Sequence, residues 1–125
     1  MKLDILAFGA HPDDVELGCA GTILKEVALG KKVGIVDLTR GELGTRGSAE
    51  IRDKEAAAAA AILGVSVREN LAFRDGFFVN DEAHQLEIIK MIRKYQHDFG
   101  LVFANHFYYF ELVCFVIYEK TISKR

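Results

Sequence analysis

The segment Gly9-Ala10-His11-Pro12-Asp13-Asp14-Val15-Glu16 places one imidazole and three carboxylates within six consecutive positions, His11 to Glu16. Imidazole nitrogen and carboxylate oxygen both bind zinc, and a histidine with an aspartate three residues on can converge on one ion. A neighbouring carboxylate left off the ion could take a proton from an activated water. Zinc lowers the pKa of its bound water to roughly 7, so such a site works at neutral pH. Pro12, the only proline, stiffens the turn between the histidine and the acids. The plainer alternative is that Asp13 or Asp14 merely caps a helix starting near Val15. Capping leaves His11 and the extra acid unexplained.

These residues need a frame, and the chain supplies one. Leu3 to Phe8 is a short apolar run ending at Gly9 and is predicted as a buried strand. From about Val15 to Leu29, the residues Ile23, Leu24 and Val27 recur at helical spacing before Gly30. Val33 to Leu38 reads as a second strand, followed by a glycine-rich loop from Thr39 to Gly47. Ser48 is predicted to cap a helix that runs through six alanines, Ala56 to Ala61, to Gly64. Alanine favours helix, and its small side chain would let the helix lie close on a sheet. Val65 to Phe73 gives a third strand. Asp81 caps a third helix with Leu86, Ile89 and Ile92 on its apolar face. Leu101 to Ala104 gives a fourth strand.

Alternating strands and helices predict an α/β fold with right-handed crossovers. The expected architecture is a Rossmann-like three-layer α/β/α arrangement with a mainly parallel sheet, truncated after the fourth strand. Sites in such sheets form beyond the carboxyl ends of the strands, here the loops starting at Gly9, Thr39, Phe73 and Asn105.

Composition bounds the alternatives. A chain of 125 residues suits one domain. Half the residues are hydrophobic and 27% are charged, which excludes a disordered chain. A net charge of −2 gives no electrostatic case for nucleic acid or anionic lipid. Cys19 and Cys114 make neither a disulfide framework nor a CxxC metal site. With no apolar leader visible at the N-terminus, a cytoplasmic location is the expectation. The end of the chain is unusual: eight of the 13 Phe and Tyr residues fall between Phe99 and Tyr118, where Glu111 is the only formal charge.

The string AHPDDVE, after the strand LDILAFG and before a helix carrying GCAGT, resembles the zinc-dependent N-deacetylases that include the PIG-L enzymes. The nearest likeness is to the branch acting on N-acetylglucosaminyl-malate in bacillithiol synthesis. It continues through VGIVDLTRGELGTRGSAEIRDKEA and ILGVSVRENLAFRDGFF, to about residue 95. The resemblance implies zinc ligation by His11 and Asp14, with Asp13 as general base. It further implies that Arg52 orients the polar groups of the substrate and that Asp75 binds the sugar. A guanidinium fork suits a carboxylate or paired hydroxyls. The implied substrate is a small N-acetyl sugar, with a homo-oligomer possible and neither nucleic acid nor membrane involved.

The resemblance breaks where the family has a His-x-x-Asp-His motif, the source of its third zinc ligand and general acid. After Ala104 the chain reads NHFYYFELVC, with Glu111 and Cys114 opposite the two histidines and His106 a weak substitute ligand. His84 and His97 read as solvated. Residues 1 to 95 are expected to form a deacetylase-like α/β core and 96 to 125 a divergent, aromatic-rich segment of the same domain. The expectation is a truncated or frame-altered deacetylase, impaired through loss of its remaining ligand. Two other readings compete: a nucleotide-binding module built on the glycines of Gly41 to Gly47, and a membrane-embedded hairpin spanning residues 99 to 118.

Overall fold

The computed structural model describes residues 1–96, 99–103 and 115–117, the last two stretches by backbone alone. The elements run β1 (Ile5–Gly9), α1 (Asp14–Ala28), β2 (Val33–Thr39), α2 (Ala49–Leu63), β3 (Val67–Phe73), α3 (Glu82–Tyr95), β4 (Phe99–Phe103) and β5 (Phe115–Ile117). The strands form one sheet in the order β3-β2-β1-β4-β5. The first four are parallel. The short β5 pairs antiparallel with β4, so the sheet continues one strand past the expected end.

Alternation along β1 and β2 divides the core between the two faces of the sheet. Ile5, Ala7, Val33 and Ile35 meet Val15 and Ile23 of α1 and Leu63 of α2. Leu3, Leu6, Phe8 and Val36 meet Tyr95, with Ile88, Met91 and Ile92 of α3 packed against them. Two helices therefore cover one face and α3 covers the other, giving the three expected layers.

The helix boundaries obey local rules. The Ser48 hydroxyl accepts a hydrogen bond from Ile51 N, and the Asp81 carboxylate accepts one from His84 N. Gly64 ends α2 in the left-handed conformation, at φ 69°, which a residue without Cβ adopts freely. α1 is broken at Cys19, directly after Gly18 (φ −151°, ψ 22° at Cys19).

Two expectations change. Of the six alanines only Ala56 is buried, so most of the run does not seat α2 on the sheet. On α3, Leu86 and Ile89 are exposed, while Ile88, Met91, Ile92 and Tyr95 face the core. The helical period holds and its phase moves, because both stripes are apolar and only the position of the sheet chooses between them.

Following β3, the chain crosses back over β2 and β1 to place β4 on the far side of β1. The strand order reverses between β1 and β4, the position where open parallel sheets hold their ligands. The loop carrying His11 to Asp14 leaves β1 at that point. Among the described residues no helix is long and apolar enough to cross a membrane. His97, His106, Glu111 and Cys114 lie outside the described residues.

Candidate active site

The β1–α1 loop turns sharply after Gly9, with Asp13 N and Asp14 N both donating to His11 O. Asp14, buried at the start of α1, accepts a hydrogen bond from His11 N at 3.0 Å and lies 3.5 Å from His11 Nδ1. The other ring nitrogen, Nε2, lies 2.9 Å from Asp75 Oδ1. Hydrogen bonding to Asp14 is the main cause that raises the His11 pKa to about 9, with burial opposing it and Asp75 adding to it.

Asp13 occupies the N-cap position of α1 and makes no capping hydrogen bond. Its half-exposed carboxylate lies 3.2 Å from Arg52 Nη2 instead. The simple capping role is thus set aside for Asp13.

Arg52 sits in the first turn of α2 and reaches back over the β2–α2 loop. The loop closes with Gly44 N donating to Gly41 O. A Cβ built on Gly41 would lie 2.8 Å from the Arg52 guanidinium carbon, and one on Gly44 would lie 2.9 Å from Nη1. Gly41 also has φ +64°. Gly41 and Gly44 thus seat an arginine, and the nucleotide-binding reading is not favoured.

Asp75, just after β3, is buried. Its Oδ2 accepts from Leu43 N at 3.1 Å, and its own backbone N–H donates to Glu42 Oε1 at 2.8 Å. The expected site residues thus fall into two contact groups, Asp13 with Arg52 and His11 with Asp14 and Asp75, and the β1–α1 turn links them.

Among the described residues no group of three or more His, Cys, Asp and Glu side chains is arranged to hold a metal. Two suitable donors are nevertheless side by side. In a tetrahedral zinc site, bond lengths near 2 Å put neighbouring ligand atoms about 3.4 Å apart. The His11 Nδ1 to Asp14 Oδ2 separation of 3.5 Å fits one such edge.

Several supporting residues escaped the sequence. Thr39 is fully buried and its hydroxyl donates to Ala10 O at 2.9 Å while accepting from Gly41 N at 3.1 Å. Asn70 Nδ2 donates to Thr39 O. Arg68 of β3 binds Asp37 of β2 bidentately, at 2.8 and 3.0 Å, and also pairs with Glu16 of α1. The available signal was Asp37 itself, an acid in an otherwise apolar central strand, which burial would leave costly without a cation. His84, read as solvated, instead packs edge-on to Phe73 and lies 2.6 Å from Asp81 Oδ1 through Nδ1.

Comparison with known proteins identifies the family. Residues 6–108 match the family model described as PIG-L: GlcNAc-PI de-N-acetylase, so the match extends beyond Tyr95. An uncharacterized deacetylase of Escherichia coli K12 is 41% identical over 71 residues, 57% of this chain and 38% of the relative. The crystal structure of a conserved protein from Thermus thermophilus is 46% identical with a TM-score of 0.70, covering 74% of this chain and 42% of the other. N,N'-diacetylchitobiose deacetylase from Pyrococcus horikoshii, solved with an inhibitor, is 35% identical with a TM-score of 0.71, covering 75% and 38%. The chain spans about two-fifths of the length of these relatives. With the family match covering most of its residues, the chain belongs to the PIG-L deacetylase family.

Proposed function

We propose that this chain carries the N-terminal part of the active site of a metal-dependent N-deacetylase acting on an N-acetylglucosaminyl conjugate of the bacillithiol type. The observation that carries this reading is an uncapped, half-exposed Asp13 beside a His11–Asp14 pair spaced for one cation. His11 and Asp14 would hold zinc or another divalent ion. Bound there, the ion supplies Lewis acidity, polarising the acetyl carbonyl and lowering the pKa of the attacking water.

The protein's own groups do the rest. Asp13 accepts the proton released as water attacks the acetyl carbonyl carbon, and that proton passes to the sugar nitrogen as the C–N bond breaks, releasing acetate and the free amine. Arg52, 3.2 Å from Asp13 and seated on the Gly41–Gly44 turn, orients that carboxylate and presents its remaining N–H donors to the polar groups of the substrate. The site takes a small sugar substrate in the cytoplasm and needs neither nucleic acid nor membrane, and a homo-oligomer is compatible with it.

Acetate release from N-acetylglucosaminyl-malate tests this reading. Release should require added divalent metal and stop with chelator. Asp13→Asn should reduce it roughly 100- to 10,000-fold while leaving metal uptake nearly unchanged. Release that persists in chelator, or an Asp13→Asn variant as active as the parent, would refute it.

A further inference from the structure

We infer that Asp75 is a positioning residue that aims the His11 ring at the metal, a role beyond the sugar contact that the resemblance implies. This inference rests on His11 and Asp14 being metal ligands, as proposed above. Both carboxylate oxygens of Asp75 already have partners: Oδ1 faces His11 Nε2 at 2.9 Å and Oδ2 accepts from Leu43 N at 3.1 Å. The side chain is only 8% exposed. Both contacts are made in a buried setting, where losing either would leave a polar group without its partner.

The geometry has a direct consequence for His11. With Nε2 held by Asp75, the ring can rotate little, and Nδ1 is the nitrogen left facing Asp14 Oδ2 at 3.5 Å. A carboxylate bonded to one ring nitrogen fixes the tautomer, orients the ring and makes the other nitrogen a better donor to a cation. The backbone anchors Asp75 in turn, since Asp75 N donates to Glu42 Oε1 and Leu43 N donates to Asp75 Oδ2. The β2–α2 loop and the end of β3 thereby set the direction of a ligand on the β1–α1 loop, 64 residues away in sequence.

Zinc titration of the 125-residue chain by calorimetry tests this, with far-ultraviolet circular dichroism as the check on folding. Asp75→Ala should weaken zinc binding by about 10- to 100-fold, since outer partners of metal-bound histidines have effects of that size. If the alanine variant loses its helical signal, the isosteric Asp75→Asn replaces it, with a loss of about tenfold expected. Unchanged zinc affinity in a folded Asp75 variant, with the loss appearing only in substrate KM, would overturn the inference and leave Asp75 with the sugar alone. A parent chain that takes up no zinc would overturn the metal reading and this inference together, a result distinct from the first.

Discussion

At the scale of single residues, the site depends on hydrogen bonds that hold the loops rather than on the reacting groups alone. Thr39 is the clearest case. Its hydroxyl joins Ala10 O, one residue before His11, to Gly41 N, where the seat of Arg52 begins. Valine has nearly the same shape and lacks the hydroxyl, so Thr39→Val leaves the buried Gly41 N–H without an acceptor. The expected cost is about 1–3 kcal/mol of stability. Thr39→Ser keeps both hydrogen bonds and loses one methyl, at a cost of about 1 kcal/mol. Urea unfolding of the three proteins separates the cases, and a valine variant as stable as the parent would remove Thr39 from this role. The string His11 to Asp14 was legible because its chemistry lies within one short segment. Thr39 was not, because a threonine at the end of a strand gives no sign of which carbonyl it will reach.

Among the elements, legibility followed the range of the interaction. The starts of α2 and α3 were readable from Ser48 and Asp81, and the end of α2 from Gly64, since caps are made within a few residues. The buried side of α3 was legible only in part: Ile92 packs on the core as expected, but Leu86 and Ile89 are exposed and Ile88 and Met91 take the inner stripe, a choice that tertiary packing makes. Arg68 could not be assigned until the strand order was known. It sits on β3 and reaches Asp37 on β2, Glu16 on α1 and the carbonyl of Ala56 on α2. One guanidinium thus ties four elements together near the first turn of α1, the end of the helix that carries Asp13 and Asp14. Arg68→Met should destabilise the fold by about 3–5 kcal/mol, because it strands two carboxylates, one of them fully buried. Chemical denaturation would show this as a large drop in the midpoint. A shift no greater than that for an exposed pair such as Lys90–Glu87 would contradict the assignment.

Over the whole molecule, the parallel sheet gathers acidic groups at one edge, and the concentration has an electrostatic cost. Asp37 is 2% exposed and shares the single Arg68 guanidinium with Glu16, with Asp14 also adding its field. Burial pushes its carboxyl up to about 6 despite the opposing pull of Arg68. Arg68 is shifted upward as well, since two carboxylates favour its charged form against the effect of burial. The two shifts agree physically: the cation gains from two partners, while each acid has only part of a cation. For Asp37 the folded pKa lies above the ordinary value of 3.8, so the native state binds this proton more tightly than the unfolded chain does. Its contribution to stability is therefore greatest at low pH and declines as pH rises from about 4 to about 6, then stays constant. Carboxylates held below their usual range, such as Asp81 and Glu50, act in the opposite sense, so the total profile mixes both. A comparison with Asp37→Asn isolates the effect, because asparagine does not titrate. The stability of the parent relative to this variant should fall between about pH 4 and about pH 6.5 when each is unfolded in urea. A difference that stays level or grows over that interval would mean that Arg68 compensates Asp37 fully.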